Sequence, residues 1–381
     1  MRSLETITGT QNENPRIGQL RDFCKDQSII LYGAGLTGRT ILQQLKKNGI
    51  TPLWIADDTP SKQGTMLDGV EIRPLAAFSS VEKPFALVVT MMNPDMNFRH
   101  MRRQLNEKGI QHVFSFLELS FVFPGDLLPY FHFGTKEEIL KDTKAIEQGM
   151  SLFTDEQSKD IFLRNLAFRL NLDFEVVPEA DKENYFPADL FPQQGPCVFF
   201  DCGAYDGDTI KNFIGVHKDF DAVYAFEPDP VNFNKLLRYS AGLDAGTAQK
   251  VHVFNNGTGA DHRYLRFNSL NNMASAISDD GDNIIQTLAL DDLFLPALQN
   301  YAGAIFIKMD IEGAEPQALR GCRQLMAAKA PALAISSYHN PDDLWSLPLY
   351  IHSVNPAYRF YLRQHGNDSM DLVLYAIAEQ Q

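Results

Sequence analysis

The sequence is poor in cysteine, has no long apolar run, and is short of basic residues, and each scarcity removes a class of protein. The four cysteines in 381 residues, Cys24, Cys197, Cys202 and Cys322, form no CxxC pair and no cysteine–histidine spacing of zinc type. A reducing compartment fits this usage, and a chain of this length buries a core without a disulfide scaffold. No apolar run approaches the roughly 18 residues that span a bilayer, and the opening MRSLETITGTQNENPR has no apolar segment behind its arginine. The sequence therefore reads as cytoplasmic, with no membrane span. Lys and Arg number 34 against 48 Asp and Glu, a net charge of −14, and the imbalance is local: residues 1–120 carry 14 basic and 12 acidic groups, the rest 20 and 36. An acidic body argues against a nucleic acid partner, whose phosphates need a basic face, and tolerates a cationic small molecule better.

What remains is ordinary globular composition, 44% apolar with 25 Gly and 20 Pro, which excludes disordered, collagen-like and coiled-coil classes. The length suits two or three domains. Strand signals at 28–32, 52–56, 85–90 and 112–116 alternate with helical patterns, the grammar of a smaller Rossmann-like α/β domain over 1–120. From 121 to 195 the periodicity turns helical, with the capping box Thr154-Asp-Glu-Gln157, and this stretch reads as a connecting segment. Strand grammar resumes at 197–201, 222–226, 251–255, 304–309 and 332–336. Two further strands, 358–364 and 372–377, flank a Gly366-Asn367-Asp368 turn. The prediction for 196–381 is an α/β, mostly parallel sheet closed by an antiparallel hairpin.

A glycine-rich strand-to-helix turn occurs twice, and the two differ in charge. The first, LYGAGLTGRT, places Gly33, Gly35 and Gly38 with no carboxylate among them, so its amides and helix dipole are free to hold an anion such as a pyrophosphate. Asp57 follows about 20 residues on, where a ribose-binding carboxylate stands in a dinucleotide site. A turn kept only for close helix packing is the alternative. The segments Pro60–Gly64 and Asp68–Ile72 resemble the N-terminal nucleotide-sugar-binding domain of bacterial sugar acyltransferases.

The second turn, VFFDCGAYDGDT, gathers Asp201, Asp206 and Asp208 around Gly203 and Gly207. Three carboxylates repel a pyrophosphate and favour a ligand with a cationic centre. S-adenosylmethionine fits, because its ammonium and sulfonium seek carboxylates while its own carboxylate can use helix-end amides. Glu227 ends the next strand, where one carboxylate can chelate two ribose hydroxyls, and Asp229-Pro230 reads as the cap and first residue of the following helix.

These pieces, with VYAFEPDPVNFNKL, IFIKMDIEGAEPQALRGC and the strand ending at His339, resemble the FkbM-type S-adenosylmethionine-dependent methyltransferases over roughly 196–381. The resemblance implies a class I methyltransferase sheet and O-methylation of a hydroxyl on a sugar, polyketide or other secondary metabolite. It also implies that Asp201, Gly203, Gly207 and Glu227 touch the cofactor, with Asn256 near the adenine.

Taking a proton from an alcohol needs a base or a metal. Asp310 and Glu312, at spacing two on an extended strand end, share a face beside the expected methyl donor as catalytic candidates, Asp310 also as a cofactor contact; His339 ends the next strand as the preferred base, a neutral imidazole with a pKa near working pH. Alternatively Asp310, Glu312 and His339 ligate a divalent cation such as magnesium or manganese. Glu315 reads as a first-turn carboxylate, and 271–277, before the acidic turn 278–282, as a lid over the acceptor. The expectation is an O-methyltransferase acting on a carbohydrate, nucleotide-linked sugar or secondary metabolite. Its rivals are a non-catalytic nucleotide-binding module and a nicotinamide oxidoreductase using the first turn.

Overall fold

The computed structural model describes residues 14–181, 185–191, 195–268, 276–277, 281 and 283–378, with Leu4 and Ile7. They divide into two compact units: Met1–Asp142 with Leu163–Ala180 and Gly366–Met370, and Thr143–Phe162 with Asp181–His365 and Asp371–Gln381.

Unit 1 is built on strands β1 (Ile29–Tyr32), β2 (Trp54–Ala56), β3 (Met66–Leu67), β4 (Val70–Arg73), β5 (Ala86–Val89) and β6 (Val113–Ser115), in the order β3-β4-β2-β1-β5-β6. Every pairing is parallel except β3 with β4. The helix Leu36–Lys47 buries Gly38, Ile41, Leu42 and Leu45, the 3.6-residue stripe legible in the sequence. Its last turn carries Lys46 and Lys47, the sign its dipole favours.

The helical stretch expected as a connector over 121–195 is not a unit of its own. Residues 121–142 and 163–180 pack into unit 1, because Phe168 and Phe174 stand against Phe133 and Phe98 at ring distances of 5.4 and 4.5 Å. Residues 143–162 join unit 2, where Phe153 packs on Phe162 at 5.7 Å and bridges to Phe360.

Unit 2 carries the larger sheet: β7 (Cys197–Cys202), β8 (Phe220–Phe226), β9 (Val251–Phe254), β14 (Ala304–Met309), β15 (Ala332–Ser336), β16 (Tyr358–Gln364) and β17 (Leu372–Ala378), in the order β16-β17-β15-β14-β7-β8-β9. Five strands run parallel and β17 pairs antiparallel with β15 and β16, as the strand signals implied. Chain order reverses at β7, which has β8 on one side and β14 on the other. Connections leave that point in opposite directions, the topology that places a ligand beyond the carboxyl ends of such strands.

A second sheet was not foreseen: β10 (Gly257–Thr258), β11 (Arg263–Asn268), β12 (Ala276–Ile277) and β13 (Asn283–Leu288), ordered β10-β13-β11-β12. Residues 271–275 of the expected lid and 278–280 and 282 of the acidic turn lie outside the described residues. Ala276 and Ile277 pair with the end of β11.

Candidate functional site at the carboxyl edge of unit 2

The turn after β7 is shaped by backbone that only glycine tolerates. Gly203 has φ +85°, and a Cβ there would lie 1.8 Å from the Asp310 carbonyl oxygen. Gly207 has φ +96° and would drive a Cβ to 2.4 Å from the Tyr239 ring. The amides of Gly203 and Ala204 both donate to the Phe226 carbonyl at 3.0 Å, which ties the turn to the end of β8.

Asp201 is fully buried at the end of β7. Its partner is Lys308, opposite it in the β7–β14 register, with Nζ 3.1 Å from Oδ1 and donating to the Gly203 carbonyl at 2.6 Å. Burial pushes the Asp201 carboxyl up to about 6 against the pull of Lys308. Among the described residues Asp201 Oδ2 accepts no hydrogen bond. The bend is thus less negative than a count of its carboxylates implies, because Lys308 neutralises one of them. A lysine inside the apolar strand IFIKM was the available signal: buried, it requires an anion on a neighbouring strand.

Glu227, 6% exposed, accepts Tyr205 N–H and Asp229 N–H, each at 2.9 Å, so it closes the turn as well as ending β8. Burial raises its carboxyl to about 7, opposed by those two hydrogen bonds. Asp206 is half-buried; Asp208 is exposed and accepts Thr209 N–H in the first turn of its own helix. Asn256 donates weakly to Gln286 of β13 at 3.4 Å.

Beyond β14 and β15 the structure assembles a charged cluster. Glu315, fully buried, accepts His339 Nδ1 at 2.9 Å and Ile311 N–H at 2.8 Å through one oxygen. His339 Nε2 faces Asp310 Oδ1 at 3.5 Å and Glu312 Oε2 at 3.7 Å. Burial alone would lower the imidazole, but Glu315, Asp310 and Glu312 overcome it and raise the group to about 10. Against the expectation of a neutral His339 near working pH, this surrounding, Glu315 foremost, favours the imidazolium, which has no lone pair for a proton. Glu312 is raised to about 8, by burial first and then by Asp310, Glu315 and Asp371, with His339 opposing. Its backbone is left-handed, φ +55°, strain retained where the chain turns from β14 into the next helix. Asp310 is held below the ordinary range, since Lys308, His339, Tyr185 and Ser336 outweigh its burial.

The ligand atoms that fall within 4.8 Å of one another belong to Asp310, Glu315 and His339, not to the expected set with Glu312. Within this group Glu315 is already engaged by His339 and Asp310 by Tyr185. The positive charge such a cluster calls for is supplied by the imidazolium, and no step is assigned to a cation. Tyr185, whose hydroxyl donates to Asp310 Oδ2 at 2.6 Å, was missed as a site residue.

In the first glycine turn, in unit 1, close approach requires two of the three glycines. A Cβ on Gly33 would meet Thr90 Oγ1 at 2.8 Å and one on Gly38 the Gly33 carbonyl at 2.0 Å, while Gly35 faces open space. Asp57 accepts Ala34 N–H at 2.8 Å and pairs with Lys62 at 2.9 Å. The carboxylate expected near a ribose thus already binds the turn's Ala34 N–H and Lys62.

A parallel sheet reversing at its first strand, closed by an antiparallel hairpin and carrying a glycine turn and an acidic strand end at the switch point, defines unit 2 as a class I methyltransferase fold. Residues 201–369 match the methyltransferase FkbM domain. The chain carries that domain over those residues, and the match supports S-adenosylmethionine-dependent methyltransferase activity. The fold of both units recurs in the crystal structure of methyltransferase FkbM from Methylobacillus flagellatus KT, 23% identical, TM-score 0.74, covering 94% of this chain and 92% of that one. Weaker likenesses are the Methanococcus jannaschii fibrillarin pre-rRNA processing protein (13% identity, TM-score 0.31, 52% of this chain and 72% of that one) and precorrin-6y C5,15-methyltransferase from Geobacter metallireducens GS-15 (13%, 0.29, 53% and 96%). No curated protein matches the sequence. Among the described residues no helix is long and apolar enough to cross a membrane.

Proposed function

We propose that unit 2 seats S-adenosylmethionine at the β7–β8–β14 edge and methylates a hydroxyl of a sugar, nucleotide-linked sugar or secondary metabolite. The observation that carries this reading is the β7 turn, where left-handed glycine backbone at Gly203 and Gly207 bends the chain beside a buried Asp201 oxygen that, among the described residues, accepts no hydrogen bond. Such a place fits a ligand bringing N–H donors to Asp201 and O–H donors to Glu227. Gly203, Asp206, Gly207 and Asp208 line the turn, and Asn256 stands after β9 on the side assigned to the adenine. The bound cofactor supplies an electrophilic methyl group on a sulfonium.

What the chain supplies is alignment and removal of a proton. Glu312, a fifth exposed and with its carboxyl near 8, is the proton acceptor in this proposal. His339 remains an imidazolium, held by Glu315, and fixes Glu312 and Asp310 on one side of the site. No nucleotide is assigned to unit 1.

Titration calorimetry with S-adenosylhomocysteine, S-adenosylmethionine and NAD tests the donor seat. The homocysteine product binds, NAD does not, and Glu227→Gln weakens the product by about tenfold or more, the worth of a charge-assisted hydrogen bond. Binding of NAD alone overturns the reading. The acceptor class is tested by transfer of labelled methyl from S-adenosylmethionine to a panel of free sugars and nucleotide-sugars.

A further inference from the structure

Tyr185 lies outside the second glycine turn and outside the strands of the large sheet, yet its side chain reaches the carboxyl edge of unit 2. Its ring is 5% exposed, its hydroxyl donates to Asp310 Oδ2 at 2.6 Å and lies 3.5 Å from Ser336 Oγ, and Lys308 Nζ stands 5.2 Å from the ring centre. Burial and the adjacent Asp310 push the phenol well above its ordinary range, so it stays protonated and can only donate to that oxygen. With Oδ2 occupied, Asp310 directs Oδ1, which among the described residues accepts no hydrogen bond, toward His339 Nε2 at 3.5 Å.

The backbone of Tyr185 is itself held. It sits at φ +64°, a left-handed conformation costly for an aromatic residue, and its N–H is bonded by the Tyr375 hydroxyl. Tyr375 is engaged in turn by His365 Nε2 at 2.8 Å, and His365 Nδ1 by Asp181. His365 and Tyr375 are buried and Asp181 is exposed, so the chain Asp181–His365–Tyr375 forms a hydrogen-bonded rail from the start of the Tyr185 segment to the closing hairpin. Phe186 and Phe191 anchor the other side of that segment in the aromatic core, against Phe199, Phe213 and Phe306.

We infer that Tyr185 is a positioning residue of the transfer site: it locks the Asp310 carboxylate so that Oδ1 faces the His339 and Glu312 side, and the Asp181–His365–Tyr375 rail sets where Tyr185 stands. The inference rests on the reading of Asp310 as a group of that site. A strap of purely structural value would need only the ring and its packing. The strained backbone and the 2.6 Å bond to a carboxylate of the cluster mark the hydroxyl as the working atom.

The test uses the full chain with 13C-carboxyl-labelled aspartate, the Asp310 resonance being assigned by its loss in Asp310→Asn. Tyr185→Phe removes one oxygen and one donor. The Asp310 resonance moves and its titration midpoint rises by about one pH unit, the ordinary worth of a lost hydrogen bond to a carboxylate, while affinity for S-adenosylhomocysteine stays within about twofold, since no donor contact is assigned to the hydroxyl. Tyr375→Phe, which keeps the Tyr185 hydroxyl but removes the partner of its backbone N–H, shifts the resonance in the same direction by less. If Tyr185→Phe does not fold, 3-fluorotyrosine at position 185 takes its place; the more acidic phenol donates more strongly and moves the midpoint down. An Asp310 resonance unmoved by loss or strengthening of the phenol donor overturns the inference. Failure of the wild-type chain to bind S-adenosylhomocysteine overturns the donor-site reading instead, whatever the resonance does.

Discussion

At the scale of single residues the site is governed by close approach and by compensated charge. Gly203→Ala places a Cβ 1.8 Å from the Asp310 carbonyl at a φ of +85°. The substitution costs about 3 kcal/mol or more, and the thermal midpoint of unit 2 falls with it; an Ala variant as stable as the wild type contradicts the geometry. His339 supplies a second prediction. Its folded-state pKa, about 10, lies above the ordinary value of 6.5. The stability it contributes is therefore fully present below about 6.5 and is lost as pH rises through about 10. The gap in melting temperature between wild type and His339→Asn is widest in mild acid and closes toward pH 10; a gap independent of pH counts against an imidazolium. Glu312 carries a third: methyl transfer rises with pH through about 8 as its carboxyl ionises, and falls above about 10 as His339 loses its proton. A profile flat from pH 6 to 9 removes Glu312 as the acceptor of the proton.

At the scale of elements, one helix of unit 2 is held by a side chain remote in the sequence, while a strand pair of unit 1 is set by its own turn. Asp291, in the first turn of the helix Leu290–Leu298, accepts Gln324 N–H at 2.7 Å and Leu325 N–H at 2.8 Å, so it caps the helix Arg323–Lys329 from more than thirty residues away. Asp291→Ala lowers stability by about 1–2 kcal/mol, the cost of a lost cap with two amides, and does so without altering S-adenosylhomocysteine binding. Denaturant unfolding and calorimetry check the two halves of that statement. The unforeseen β3–β4 hairpin has an equally local cause. Asp68 and Gly69 have φ +47° and +81°, the primed turn that an Asp-Gly pair favours between short strands.

At the scale of the whole molecule, the chain passes between the two units several times, so sequence-contiguous fragments do not correspond to folding units. A fragment of residues 1–142 lacks Phe168, Leu172, Phe174 and Val177, all buried in the core of unit 1. Losing two phenylalanines costs about 3 kcal/mol or more each, comparable to the net stability of a small domain. The fragment is expected to populate a loosely packed state with no cooperative melting transition, while the full chain melts cooperatively; a sharp transition in the fragment refutes this account of the core.

Strand positions were legible because buried strands read as short apolar runs between turn residues, and the two glycine turns because their backbone admits little else. FkbM-like motifs at Asp201, Glu227 and Asp310 marked the sheet edge on which the candidate site is placed. What the linear chain could not show was pairing across it. Lys308 neutralises Asp201 only because β14 lies beside β7 in register; His339 is cationic only because Glu315 folds against it; and Tyr185 meets Asp310 across 125 positions. Local propensity and periodicity act between neighbours and are written along the sequence. The charge state of a buried group depends on distances of a few ångströms to residues remote in the chain, and those distances exist only once the sheet has formed.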